Sequence, residues 1–167
     1  MCGIFATTND KDSAQTILSG LKKLEYRGYD SWGIAVKGRT KLKAEKKVGK
    51  ISVSKTTLPK SKMGIGHTRW ATHGGVTVAN AHPHFDEEGK LALIHNGIVD
   101  NYLDLKKKID SHVLVSETDS EIVAHLIEKE LKTETDLFKA VKKVVRLCDG
   151  YNAFVVIHQD FPYLVAA

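Results

Sequence analysis

SETDSEIVAHLIEKELKTETDLFKAVKKVVRLCDGYNAFVVIHQD, residues 116–160, decides the fold class. Thr118-Asp119-Ser120-Glu121 has the form of a capping box. Ile122, Val123, Leu126, Ile127 and Leu131 follow it at helical spacing. Leu137, Phe138, Val141, Val144 and Val145 repeat that pattern in a second helix, which is expected to stop at Gly150. YNAFVVIH then reads as a strand, and YLVAA as its hairpin partner across Gln159–Pro162. Two helices in succession and then paired strands break the alternation that a parallel doubly wound sheet requires. The expectation is a layered α+β fold.

Working outward, LALIHNG (91–97) reads as a buried strand ending at glycine. A helix with Tyr102, Leu105 and Ile109 on one face follows it. Upstream, CGIFATT is a short strand. Asp12 or Ser13 caps a helix with Ile17, Leu18, Leu21 and Leu24 on its inner side, ended by Gly28. WGIAV and Lys41–Val48 are strands around a Gly38-Arg39 turn, and Met63–Thr68 is another strand. Residues 50–62 fit a short helix or a loop. HGGVTVANAHPHFDEEGK (73–90) is a long loop, and loops of that length are more often functional than accidental.

With 167 residues, of which 42% are hydrophobic and 27% charged, the chain has one domain's worth of core and is not disordered. No apolar run is long enough to span a membrane as a helix, and MCGIFATTNDKD lacks the pattern of a secretory signal, so a cytoplasmic location is expected. The net charge of +5 rests on lysines in 41–50 and 106–108. They are not interleaved with aromatics, which argues for a solvated surface and against nucleic acid. The final FPYLVAA runs apolar to its end, so the domain is expected to be incomplete at its C-terminal side.

Two cysteines cannot form a disulfide framework. Cys148 continues the apolar register of Val141, Val144 and Val145 and reads as a core thiol. Cys2 has two readings. It is a small hydrophobe opening a strand, which position alone favours. Or, once Met1 is removed, it is a nucleophile whose own α-amine, with a pKa of about 7.7–8, serves as base. Other segments bear on the choice. LEYRGYDSWGIAV sets Arg27-Gly28 before a strand. HTRWATHG gathers His67, Arg69, Trp70, Thr72 and His73 after another. HNGIVDN puts Asn96-Gly97 at a strand end, and SETDSE puts Asp119 in a first helical turn. Each has a plain alternative: a surface charge for Arg27, a hairpin turn for Asn96-Gly97, a helix N-terminal acid for Asp119. His82 and His84, in HPH, are candidate metal ligands, but no cysteine or carboxylate joins them at metal-site spacing, and no metal is expected.

MCGIFA, LEYRGYDSWGIAV, HTRWATHGG…NAHPH, LIHNGIVDN and SETDSE, in this order, resemble the glutaminase domain of the glutamine–fructose-6-phosphate aminotransferase family. That family is a branch of the class II glutamine amidotransferases, which are N-terminal-nucleophile hydrolases. DGYNAFVVIHQD and LVAA resemble the strands that follow, so the resemblance spans residues 2–167. It implies a four-layer αββα sandwich and hydrolysis of L-glutamine through a γ-glutamyl thioester on Cys2. It implies an oxyanion hole of Asn96 and Gly97. Arg69 would meet the α-carboxylate with Thr72 and His73 assisting, and Asp119 would meet the α-ammonium. Trp70 would lie at the ammonia exit, with Arg27 and His82 in support. It implies no cofactor. Fructose 6-phosphate would be met only by sugar-isomerase domains that lie outside this sequence, in an enzyme expected to be a homo-oligomer. Two other readings stand beside it: a non-catalytic module of the same fold, and an amidotransferase serving another acceptor.

Overall fold

The computed structural model describes residues 2–9, 11–71, 74–109 and 111–167. Its strands are β1 (Gly3–Thr8), β2 (Ser31–Val36), β3 (Lys43–Val48), β4 (Met63–Arg69), β5 (His84–Phe85), β6 (Leu91–Gly97), β7 (Asn152–His158) and β8 (Leu164–Ala166). Its α-helices are α1 (Ser13–Leu24), α2 (Tyr102–Lys106), α3 (Asp119–Leu131) and α4 (Leu137–Val145), with 3₁₀ turns at Glu25–Arg27 and Lys107–Ile109. The strands form two sheets, in the orders β1-β4-β2-β3 and β5-β6-β7-β8. Every pairing is antiparallel.

The period-2 alternation of the strands assigns the layers. In β2, Ile34 and Val36 pack with Ile17, Leu18 and Leu21 of α1, while Ala35 between them turns to the other side. In β6, Ala92 and Ile94 meet Ala35 and Ile65 of the first sheet, while Leu91 and Leu93 turn outward. Phe154 and Val156 of β7 join those outward leucines beneath Ile122, Leu126, Val141 and Val144 of α3 and α4. The order is therefore α1, first sheet, second sheet, α3 with α4: the expected αββα sandwich. Both faces of each sheet are covered, so β2 is buried at all six positions. Each fully buried Leu, Ile or Val contributes about 1.5–3 kcal/mol relative to exposure.

Of the two readings of residues 50–62, the loop holds, with no helix there. Several local expectations are corrected. The 73–90 loop contains the two-residue strand β5, held by pairing His84 with Leu93 and Phe85 with Ala92. The helix α4 ends at Val145, not Gly150. Tighter turns follow it, with Leu147 N–H donating to Val144 O and Cys148 N–H to Val145 O. The capping box at 118–121 does not close. Thr118 occupies the N-cap position, but its hydroxyl lies 2.9 Å from His84 Nε2 and caps nothing. Glu121 reaches past it to the N–H groups of Val115 (2.8 Å) and Ser116 (2.7 Å). Burial works to raise the Glu121 pKa, but the His125 imidazole 3.9 Å away and hydrogen bonds from Ser116 and Val115 hold it at about 2. The lysines of 41–50 are not all solvated either. Lys46 donates to Ala79 O at 3.1 Å, and burial brings its pKa down to about 8.

Candidate active site

The first sheet brings Cys2 to the loop after β4. Pairing of β1 with β4 sets Gly3 opposite Thr68 and Ile4 opposite His67, and Gly3 N–H donates to Thr68 Oγ1 at 3.2 Å. Cys2 consequently sits against Trp70, whose N–H donates to Sγ at 3.2 Å. Gly28 lets the segment after α1 lie directly on this strand end, since a Cβ there would stand 2.8 Å from Thr68 O.

The second sheet brings the end of β6 to the same place. Asn96 Nδ2 donates to Cys2 O at 3.1 Å. Gly97 has φ +136, and a Cβ would run into the Tyr151 carbonyl oxygen, so only glycine fits. Asn96 is held from behind by a residue to which the sequence reading gave no role. His67 Nε2 lies 3.0 Å from Asn96 Oδ1 and 3.0 Å from His95 O. Both partners are acceptors, so Nε2 carries the proton, which fixes the tautomer. His67 is fully buried, and burial takes its pKa down to about 4, so the ring is neutral at physiological pH.

The N-terminus of α3 closes the site. Asp119 Oδ2 accepts from Val99 N–H at 2.8 Å, and Ser120 Oγ bridges Asp119 Oδ1 (3.2 Å) and His95 Nδ1 (2.8 Å). His95 Nε2 bonds Asn152 Oδ1 at 2.8 Å, which ties β6 to β7 beside Gly97. A small pocket is lined by Cys2, Arg69, Trp70, His82, Gly97 and Asp119 together with His95, Thr118 and Ser120. A wider cleft of about 520 Å³ adjoins it, sharing Cys2, Trp70 and Gly97 and adding Arg27 and Asn96.

Every candidate from the sequence that falls within the described residues therefore lies at this one seam. Arg69 is 4% exposed, with Nη1 donating to Gly75 O (3.1 Å) and Nη2 to Gly74 O (3.4 Å), so it also anchors the start of the following loop. Trp70 is 44% exposed and lies against the ring of Tyr29. His82 is buried between the rings of His67 and His84, with centroids at 4.2 and 4.6 Å. Thr72 and His73 lie outside the described residues. Beyond His67, the sequence reading gave no role to Asp30, whose carboxylate accepts from Ala71 N–H at 2.8 Å. It also passed over the pair Asn80–Glu117. Asn80 Oδ1 accepts from Glu117 N–H (2.9 Å), and Nδ2 donates to Glu117 Oε2 (2.9 Å) and Gly75 O (3.0 Å). Asp30 stands in the quoted RGYDS motif, which was the available signal; Asn80 and Glu117 pair across 37 positions, and no local pattern joins them.

Two facing antiparallel sheets between helical layers, with a near-terminal cysteine at their seam, define the class: an N-terminal-nucleophile-type sandwich. A family described as "Glutamine amidotransferase domain" matches residues 67–167. The chain belongs to that family. It is 47% identical over its whole length to a glutamine–fructose-6-phosphate aminotransferase (isomerizing) of Thermus thermophilus, and 46% identical over 95% of its length to that of Helicobacter pylori. It spans 28% of the length of each of these relatives. Among solved structures it resembles the glutamine phosphoribosylpyrophosphate amidotransferase of B. subtilis, with TM-score 0.80 and 26% identity, covering 95% of this chain and 35% of that one. No described helix is long and apolar enough to cross a membrane.

Proposed function

We propose that this chain is the glutamine-hydrolysing part of a glutamine–fructose-6-phosphate aminotransferase, with Cys2 as its nucleophile. The observation that carries the reading is the single pocket lined at once by Cys2, Gly97, Arg69 and Asp119. Those residues supply a thiol, an oxyanion donor, a cation and an anion, which is what a zwitterionic amino acid with a reactive side-chain amide needs.

Removal of Met1 frees the α-amine of Cys2, which takes the thiol proton. The thiolate attacks the side-chain carbonyl carbon of glutamine, and the π electrons move to oxygen. The oxyanion is received by the Gly97 N–H and by the second Asn96 Nδ2 proton, the first being engaged with Cys2 O. Collapse breaks the C–N bond, the protonated amine returns its proton to the leaving nitrogen, and ammonia departs. A γ-glutamyl thioester remains. Water, deprotonated by the same amine, attacks it and releases glutamate and the thiol. Arg69 meets the α-carboxylate through its planar fork, Asp119 pairs with the α-ammonium, and the family resemblance assigns Thr72 and His73 an assisting role. Asparagine offers the same charged end but falls one methylene short of Cys2. Trp70 borders the route by which ammonia leaves, Arg27 shapes the cleft mouth, and His82 backs the pocket wall.

The ammonia would pass to fructose 6-phosphate held by sugar-isomerase domains of a longer, homo-oligomeric enzyme making glucosamine 6-phosphate. Work in the cytoplasm suits a nucleophilic thiol, which stays reduced there. The test is a glutamine analogue with an electrophile at the side-chain carbonyl, read by peptide mass spectrometry. It should modify Cys2 and spare Cys148, and protein whose Met1 is retained should not react. An adduct on Cys148, or glutamine hydrolysis by Met1-bearing protein, would overturn the assignment.

A further inference from the structure

A second cluster of titratable groups, largely buried, lies along α3 away from the pocket. Glu128 and His125 lie one turn apart on α3, and His112 comes from the chain just after the 3₁₀ turn at Lys107–Ile109. One ligand-capable atom from each of the three lies within 4.8 Å of the others, and among the described residues this is the one such group. Glu128 Oε2 is 2.9 Å from His125 Nδ1 and 3.7 Å from His112 Nε2. Around a tetrahedral ion with bonds of about 2.0–2.2 Å, neighbouring ligand atoms stand roughly 3.3 Å apart. The two measured separations bracket that value.

A second observation points to a ligand. The His112 side chain is 5% exposed, and among the described residues neither ring nitrogen has a hydrogen-bond partner. A buried imidazole without partners is costly. A proton shared between His125 and Glu128 would satisfy those two residues and leave His112 unexplained. A metal ion would satisfy all three. The surroundings are also those of a built site. Glu121 Oε1 lies 3.9 Å from His125 Nε2, on the side away from Glu128. It stands near that nitrogen, on the side where a metal-bound imidazole commonly meets an outer carboxylate. Glu87 accepts from Val113 N–H at 3.3 Å and so fixes the residue next to His112.

We propose that His112, His125 and Glu128 bind one divalent transition-metal ion of the Zn²⁺ class. Two imidazole nitrogens and one carboxylate oxygen suit zinc and its neighbours, whereas Mg²⁺ and Ca²⁺ require mostly oxygen. Three protein ligands leave a fourth position for water. Glu128 lies nine residues along α3 from Asp119, roughly 14 Å at 1.5 Å per residue, so the ion sits apart from the pocket. Its effect is to tie the chain before α3 to that helix. The site departs from the sequence expectation of no metal, because spacing along the chain does not show that His112 folds back onto α3.

The test is calorimetric titration of chelator-treated protein with Zn²⁺, in parallel with the visible spectrum of the Co²⁺ form. One equivalent should bind, with four- or five-coordinate Co²⁺ absorption and a rise in Tm. His112→Gln and Glu128→Gln should each weaken Zn²⁺ binding by ~100-fold or more, beyond the 10–100-fold typical of losing an outer partner. Cys2→Ala should leave the binding unchanged, which separates this site from any thiol-bound metal. The proposal fails if no stoichiometric binding occurs. It fails if binding is lost in Cys2→Ala but kept in His112→Gln, or if Mg²⁺ competes at equal concentration. Far-UV circular dichroism of both Gln variants confirms that lost binding is not lost fold.

Discussion

Cys2 and Cys148 are both half-buried free thiols, yet they sit in opposite settings. Cys148 lies past the end of α4 against the core beneath α3 and α4, with Sγ donating to Val144 O at 3.4 Å. Burial raises its pKa to about 11, which leaves it protonated and unreactive. Cys2 lies where two sheet ends meet, receives an N–H from Trp70, and shares a pocket with Arg69. The histidines divide in the same way. Those at the seam, His67, His82, His84 and His95, are lowered by burial, which outweighs the opposing carboxylates, Glu121 at His84 and Asp119 at His95. Those on the outer layer, His112 and His125, stand against Glu121 and Glu128. The same residue types thus serve opposite ends, and the neighbours that the fold supplies decide which.

The largest expected effect breaks the comparison between thiols. In a full-length enzyme, Cys2→Ala should lower glutamine hydrolysis by roughly 10⁶-fold, the size seen when a nucleophile acting within a catalytic unit is removed. Cys148→Ala should leave the rate within about twofold, with only the modest stability loss of a small core truncation. Equal losses from the two variants, measured as glutamate release, would erase the distinction. Asn96→Ala should be next, lowering kcat by about 10²–10³ with a smaller change in KM, because its amide serves the transition state more than the bound substrate. A loss confined to KM would reassign Asn96 to ground-state binding.

The smallest effect is on stability and concerns pH. His67 ordinarily titrates at 6.5 and in the fold at about 4. The unfolded chain therefore takes up the proton first, and the native state loses stability as pH falls. The contribution is full above pH 6.5 and is lost progressively toward pH 4, by roughly 3 kcal/mol. His82 and His84 shift in the same direction. Urea unfolding at several pH values should show this slope, and His67→Gln should flatten it while keeping a donor for Asn96 Oδ1. An unchanged slope in that variant would mean that acid sensitivity does not enter through His67.

Much of this architecture was legible because it follows local period. The apolar spacing of α1, α3 and α4 and the alternation in β2, β6 and β7 depend on which residues face a core, and this repeats along the chain. The errors fall where a distant partner outcompetes a local one. Thr118 has the sequence of a helix cap, but its hydroxyl turns to His84, 34 positions away. Lys46 belongs to a basic run, yet its ammonium turns to Ala79 O. The strand β5 is too short to carry a period and exists because β6 is there to pair with it.

The sequence by itself determined the layered α+β class, through its hydrophobic periods, and the family, through its ordered motifs; the αββα layering and the set of pocket residues followed from that resemblance and not from local pattern. Only the tertiary structure decided how those residues are held. His67 becomes the support of Asn96 because β4 and β6 belong to different sheets that face each other. His112 joins His125 and Glu128 because the chain folds back over α3. Contacts of this kind join side chains dozens of positions apart through packing, and packing depends on the whole set of buried surfaces, which no local spacing encodes.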